Sequence, residues 1–109
     1  HGDAENLPFT DKQFDLVVCV EVLEHLRDPA AGLRELARVS SRPLLLSVPR
    51  EPYFQGSNLI TGRYPRAFGN TPGHLNHWTK SSFQRFVSQV GTVRAVASPY
   101  PWTIVWVTL

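Results

Sequence analysis

The stretch that decides the fold is Phe14–Leu26, with the sequence FDLVVCVEVLEHL. Leu16 to Val20 is a continuous apolar run, which is typical of a strand covered on both faces, as in a parallel sheet. A short acidic helical turn carrying Glu21, Glu24 and His25 follows at once. Because ligands of open α/β sheets bind beyond the carboxyl ends of such strands, these polar residues indicate a functional edge of the sheet.

The rest of the chain predicts alternating strands and helices of an α/β fold. Asp28 is placed to cap a helix whose first residue is Pro29, where a missing N–H does no harm. The predicted elements are a strand at 14–20, this helix, a strand at 44–48, a long loop at 50–78, a helix capped by Thr79, and strands at 92–97 and 102–109. The last two strands are joined by a tight turn and are therefore antiparallel, since parallel neighbours need a crossover.

The segment Gly2–Phe9, GDAENLPF, precedes the deciding strand. Together the two segments resemble the middle of a class I S-adenosylmethionine-dependent methyltransferase. No G-x-G-x-x-G turn occurs in the chain, so the resemblance assigns residues 1–109 to the C-terminal part of one methyltransferase domain. The fold it implies is a partial Rossmann-like sheet of about four mixed strands with flanking helices, in which the last strand is antiparallel and lies between its two predecessors.

The same resemblance assigns cofactor-binding residues. It places Asp3 and the backbone of Ala4 against adenine, and Cys19, Val20 and Glu21 beside the methionyl part of S-adenosylmethionine. Two alternatives stay open on local grounds, because Asp3 also suits a turn and Cys19 and Val20 also suit the core.

Histidines supply the candidate catalytic residues. His25 lies next to Glu24 and is a candidate general base, although a histidine on a short helix is more often structural. His74 and His77 flank Leu75–Asn76, and the resemblance makes His74 the better functional candidate. A metal site is not expected, because Glu21, Glu24 and His25 are not a recognised ligand set and the His74–His77 pair has no cysteine partner nearby.

Aromatic residues recur through the long loop. Tyr53, Tyr64 and Trp78 either line an acceptor pocket or pack the loop onto the sheet. The stretch 48–86 resembles a bacterial subgroup of these methyltransferases, and that resemblance names no substrate.

Composition excludes several classes of function. Of the 109 residues, 42% are apolar, which is enough for a core, and the net charge of +2 comes without a Lys/Arg run, so nucleic acid binding is not expected. No apolar stretch is long enough to span a bilayer, so no membrane partner is expected either. The single cysteine, Cys19, is expected to be a reduced, buried thiol in a cytoplasmic protein.

The function expected from the resemblance is methyl transfer from S-adenosylmethionine to a small-molecule acceptor. The chain alone is expected to be inactive and to bind the cofactor weakly or not at all, because it lacks the glycine-rich turn. The alternatives are a non-catalytic binding or assembly module with the same half-fold, and another doubly wound enzyme such as a nucleotide-dependent reductase. The strand at Phe14–Val20 lacks its family neighbour, so a homodimer formed through the exposed sheet edge or face is also expected.

Overall fold

A computed structural model describes residues 3–49 and 76–109 of the chain. Those residues form one mixed sheet with helices on one side. Its elements are strand β1 (Val17–Val20), a 3₁₀ turn (Leu23–His25), helix α1 (Pro29–Val39), strand β2 (Leu44–Pro49), helix α2 (Lys80–Val87), strand β3 (Thr92–Ala97) and strand β4 (Trp102–Thr108). The α/β fold class and the element order expected from the sequence are confirmed. The expected loop at 50–78 lies mostly outside the described residues, since only its end at 76–78 is seen.

The sheet has the strand order β1-β2-β4-β3. β1 and β2 run parallel, whereas β4 pairs antiparallel with both β2 and β3. The last strand of the chain is therefore reversed and inserted between its two predecessors, as expected. β1 forms one edge, and its carboxyl end lies beside the carboxyl end of β2 and the start of β4.

Both helices begin with the expected capping residues. The Asp28 carboxylate accepts a hydrogen bond from the Ala31 N–H at 3.0 Å, with Pro29 at the first helical position. At α2 the Thr79 hydroxyl accepts from the Ser82 N–H at 3.1 Å and the Ser82 hydroxyl accepts from the Thr79 N–H at 2.9 Å, a reciprocal capping box.

The sequence predicts that Gly91 ends α2, because glycine commonly follows the last turn of a helix, but the helix already stops at Val87. The glycine serves a close approach instead, because a Cβ at Gly91 would lie 2.4 Å from the Thr108 carbonyl oxygen. The chain therefore enters β3 next to the end of β4, with Gly91 close to the backbone of Thr108.

The core lies between the helices and one face of the sheet. It consists mainly of aliphatic side chains with Phe83 at its centre, and its fully buried sheet residues are Leu44, Leu46, Val48, Val105 and Val107. None of the helices in the described ranges, 3–49 and 76–109, has the length and hydropathy needed to cross a membrane.

The expectation that 14–20 is a strand buried on both faces is wrong in two respects. β1 begins only at Val17, and Phe14 instead forms an isolated bridge with Ser40. Leu16, Val18 and Val20 are 49%, 52% and 55% exposed, while Cys19 on the opposite face is buried. The cause is that both helices pack on the Cys19 side, so the apolar run is covered on one face only.

Candidate functional site

The carboxyl end of β1 places three acidic or basic side chains within five residues. Glu21 follows the strand immediately, and its backbone has φ of 53°, in the left-handed region that non-glycine residues seldom adopt. Its N–H donates to the Ser47 carbonyl at 3.0 Å, which ties this conformation to the end of β2. The Glu21 carboxylate accepts a hydrogen bond from the Trp102 indole N–H at 2.5 Å.

Trp102 was not among the residues that the sequence suggested for the site. It begins β4 and pairs with Pro49, so it lies at the same edge of the sheet as the carboxyl end of β2. The expected position of the last strand could have identified Trp102, because inserting that strand between its two predecessors brings the start of β4 to this edge. Its indole is 36% exposed and remains within reach of a ligand.

Glu24 is the least expected residue of the site. The sequence places it on a polar turn, but its side chain is 1% exposed and neither carboxylate oxygen has a hydrogen-bond partner among the described residues. Burial raises the pKa of this carboxyl above its usual value, and the nearby Glu21 charge adds to the increase. The backbone N–H of Glu24 itself and the His25 ring, whose Nε2 lies 3.8 Å from Glu24 Oε1, act in the opposite direction.

His25, expected as a catalytic residue, lies beside this buried carboxyl with 44% of its side chain exposed. The structure thus brings the histidine and Glu24 together as the sequence suggested, and the general-base role stays a prediction. The other expected catalytic residue, His74, lies outside the described residues, as do Tyr53 and Tyr64.

Asn76 holds the 3₁₀ turn from the other side. Its N–H donates to the Glu24 carbonyl at 3.0 Å, and its side-chain amide donates to the carbonyls of Leu23 at 3.2 Å and Leu26 at 2.5 Å. These bonds add partners for the carbonyl groups at the end of the short turn, where the Leu23 carbonyl also accepts from the Leu26 N–H at 3.3 Å. The backbone of Glu24 is therefore fixed by a residue 52 positions later in the chain.

Cys19 and Val20, expected beside the methionyl part of the cofactor, point to opposite faces of β1. The Cys19 thiol is in the core at 5% exposure, and burial together with the Glu24 charge raises its pKa to about 11. Val20 is more than half exposed on the open face. The core alternative therefore describes Cys19 but not Val20, and the cofactor roles of both stay predictions.

Asp3 forms a turn, in agreement with the local alternative. Its carboxylate accepts from the Glu5 N–H and its carbonyl accepts from the Asn6 N–H, both at 2.9 Å. The Glu5 carboxylate in turn accepts from the Asp28 N–H at 2.8 Å, which fixes the segment containing Ala4 to the start of α1. The adenine-binding role of Asp3 and Ala4 stays a prediction.

Arg38 fixes the next part of this N-terminal segment. It forms two 2.8 Å hydrogen bonds with Glu35, contacts Asp11 at 2.8 Å, and donates to the carbonyls of Leu7 at 3.0 Å and Phe9 at 2.8 Å. The Arg38 hydrogen bonds lower the pKa of Glu35 to about 2. Helical spacing predicts that Arg38 faces water, but it binds the segment that leads from Asp3 to β1.

Trp78 packs into the core rather than onto an open pocket. Its ring centroid lies 5.4 Å from that of Phe83 and 5.0 Å from that of Phe86. Two roles were expected for Trp78, lining an acceptor pocket or packing the loop. The contacts seen among the described residues are packing contacts. No group of three or more His, Cys, Asp or Glu residues suited to a metal ion occurs within 3–49 and 76–109.

Residues 1–42, which include β1 and the turn that follows it, match the family described as "Methyltransferase domain". Norajmaline N-methyltransferase of Rauvolfia serpentina is 48% identical over 40 residues, which are 37% of this chain and 14% of that enzyme. The chain therefore spans a small part of the length of the curated relatives that it matches.

Solved structures extend the similarity to the whole sheet. The YcgJ protein of Bacillus subtilis superposes with a TM-score of 0.61 at 28% identity, covering 88% of this chain and 39% of that one. Magnesium protoporphyrin IX methyltransferase (ChlM) of Synechocystis PCC 6803, solved with bound SAH, superposes with a TM-score of 0.68 at 20% identity, covering 98% of this chain and 48% of that one.

Proposed function

Because the chain is a portion of a class I S-adenosylmethionine-dependent methyltransferase domain, we propose that the protein containing it transfers a methyl group from S-adenosylmethionine to a small-molecule acceptor. The observation that carries this proposal is the family match over residues 1–42, which contain the polar groups at the carboxyl end of β1. The ligands of such sheets bind at that end.

Methyl transfer of this kind makes modest demands on the protein. The sulfonium is a strong leaving group, so alignment of the acceptor atom with the methyl carbon supplies most of the acceleration. A base is needed only where the acceptor must lose a proton, and His25 beside the buried Glu24 is the described candidate for that role. His74 is the second candidate.

We also propose that the 109-residue chain on its own is inactive and binds the cofactor weakly or not at all. The residues assigned to the cofactor, Asp3, Ala4, Cys19, Val20 and Glu21, cover adenine and the methionyl group. The chain contains no glycine-rich turn for the rest of the molecule.

Calorimetry with S-adenosylmethionine tests both proposals. We expect binding to the full-length protein, and we expect binding to the 109-residue chain to be much weaker or undetectable. Micromolar binding by the short chain would overturn the second proposal. A full-length protein that fails to bind the cofactor would overturn the first and favour a non-catalytic binding or assembly module.

The open face of the sheet supports a further proposal, that the 109-residue chain self-associates as a two-fold homodimer. Leu16, Val18, Val20 and Trp106 are all at least 36% exposed, and β1 is an edge strand in the described sheet. Exposed apolar faces and unpaired strand edges are templates for association.

Light scattering of the 109-residue chain tests self-association. We expect a dimer at tens of micromolar, roughly the range where weak association becomes visible, and a monomer for the Val18→Lys variant. Gln13→Lys, at an exposed site outside the strands, is the matched control and should leave the dimer intact. A monomeric wild-type chain would refute the proposal.

The single buried cysteine is relevant to the cellular compartment of the protein. With no second cysteine in the 109 residues, the thiol is suited to a reducing compartment. We therefore propose the cytoplasm, and a bacterial source follows from the subgroup that the later sequence resembles.

A further inference from the structure

The hydrogen bond between Glu21 and Trp102 joins two parts of the chain that are 81 residues apart in sequence. The two residues belong to β1 and β4, which are not neighbours, because β2 lies between them. The bond therefore crosses the carboxyl end of the middle strand. Neither residue is buried, so the core does not require this contact.

The backbone at Glu21 has an uncommon conformation. A φ of 53° is unfavourable for a residue with a side chain, and such outliers cluster at ligand sites and active sites. The N–H bond to Ser47 keeps the conformation in place. The carboxylate is thereby directed across the edge of the sheet toward the indole.

Two acidic side chains, Glu21 and Glu24, lie at this edge of the sheet. Glu21 brings an exposed carboxylate, and Glu24 is a second acidic group close enough that the Glu21 charge contributes to its raised pKa. Glu24 is also 1% exposed with neither oxygen hydrogen-bonded within the described ranges. Buried polar groups without partners are rare and call for an explanation such as a role in binding or catalysis.

An indole ring beside carboxylates is suited to binding a cation. A cation attracts the face of an aromatic ring, with tryptophan the strongest partner, and a carboxylate adds direct charge attraction. A hydrogen bond from the indole N–H to Glu21 restricts the ring orientation and does not itself occupy the ring faces. Trp102 is 36% exposed, which is enough for a small cationic group to reach it.

We propose that Glu21 and Trp102 form a subsite for a positively charged nitrogen of the methyl acceptor, so that the acceptor is an amine. The inference rests on the proposed methyltransferase function and specifies its acceptor class. Two cationic groups of S-adenosylmethionine share this chemistry, namely its sulfonium and its methionyl ammonium, and the experiment separates both from an amine of the acceptor.

Tetramethylammonium is the probe for the first arm, with the full-length protein labelled with ¹⁵N. The indole N–H signal of Trp102 is assigned by its loss in Trp102→Phe and followed during titration. We expect a saturable shift with tetramethylammonium chloride and none with sodium chloride or with tert-butanol, a neutral molecule of similar shape. A shift that does not saturate, or an equal shift with tert-butanol, would overturn the proposal.

The Glu21→Gln variant keeps the shape of the side chain and removes its charge. We expect its affinity for tetramethylammonium to fall at least tenfold, whereas Asp15→Asn, an exposed acidic site at the other end of β1, should change it less than twofold. A Glu21→Gln protein that keeps wild-type affinity and a native spectrum would overturn the subsite.

The second arm repeats the titration with the cofactor and its product. We expect tetramethylammonium to bind in the presence of S-adenosylhomocysteine and of S-adenosylmethionine alike. Loss of the probe with S-adenosylmethionine alone would assign the subsite to the sulfonium, and loss with both molecules would assign it to the methionyl ammonium. Either result would refute the amine.

Failures of the two proposals look different in this design. Probe binding in a protein that binds neither cofactor molecule would refute the methyltransferase function and leave the cation subsite standing. Cofactor binding without probe binding would refute the cation subsite and leave the methyltransferase function standing.

Discussion

The Cys19 thiol offers a quantitative test of the geometry at the carboxyl end of β1. Its pKa is raised from 9.0 to about 11, first by burial and second by the charge of Glu24. This increase lowers the thiolate fraction at pH 8 by about 100-fold, and the thiolate is the reactive form. Native protein should therefore react with iodoacetamide at pH 8 at least about 100-fold more slowly than the same protein in denaturant.

The pH profile separates ionisation from simple shielding of the sulfur. The rate of alkylation, followed by mass spectrometry, should still rise steeply through pH 10 in the native protein, whereas in denaturant it should reach half its maximum near pH 9. Glu24→Gln should lower the native pKa from about 11 yet leave it above 9.0, because burial is the larger cause. Asp15→Asn, at an exposed site, should leave it unchanged. A native rate that levels off at or below pH 9 would refute this account of the site.

Three further predictions concern the elements around the site. Glu24 has an ordinary pKa of 4.5 in the unfolded chain and a higher one when folded. The free energy of unfolding should therefore fall as pH rises from about 4.5 through the folded pKa. Urea unfolding of Glu24→Gln should lack this decline. A parallel decline in the variant would contradict the assignment of the effect to Glu24. Arg38→Leu should speed hydrogen exchange at the Leu7 N–H, which Glu35 holds at 2.8 Å, and unchanged exchange would show that the arginine does not fix this segment. Thr79→Ala removes half of the capping box and should destabilise the chain by about 1 kcal/mol in thermal unfolding, with Ser81→Ala, an exposed neighbour within α2, as the milder control.

The sequence predicted the elements correctly wherever local patterns decide them. Asp28 and Thr79 cap their helices through side-chain hydrogen bonds that depend only on nearby residues. The apolar run of β2 is buried as expected because helices and neighbouring strands cover it. The reversed final strand followed from the short turn before Trp102.

Which face of β1 is exposed, and that Glu24 is buried, could not be predicted from local patterns. An apolar run shows that a strand can be buried on both faces, but coverage depends on where distant helices pack, and here both helices lie on the Cys19 side. Glu24 occupies the second position of a one-turn 3₁₀ helix, where no period distinguishes an inward from an outward side chain. Its burial is instead set by long-range contacts, including the bond from the Asn76 N–H to its carbonyl.

Two departures from the usual local rules lie close together at the carboxyl end of β1. Glu21 has a positive φ, and three residues later Glu24 is buried without hydrogen-bond partners for its carboxyl group. Sequences that specify a fold satisfy local rules nearly everywhere, and violations are expected where function demands them. Stability alone favours glycine at position 21 and an apolar side chain at position 24. The two exceptions follow the same parallel strand at its carboxyl end, where α/β sheets bind their ligands. That coincidence locates the working edge of the sheet independently of any resemblance to known proteins.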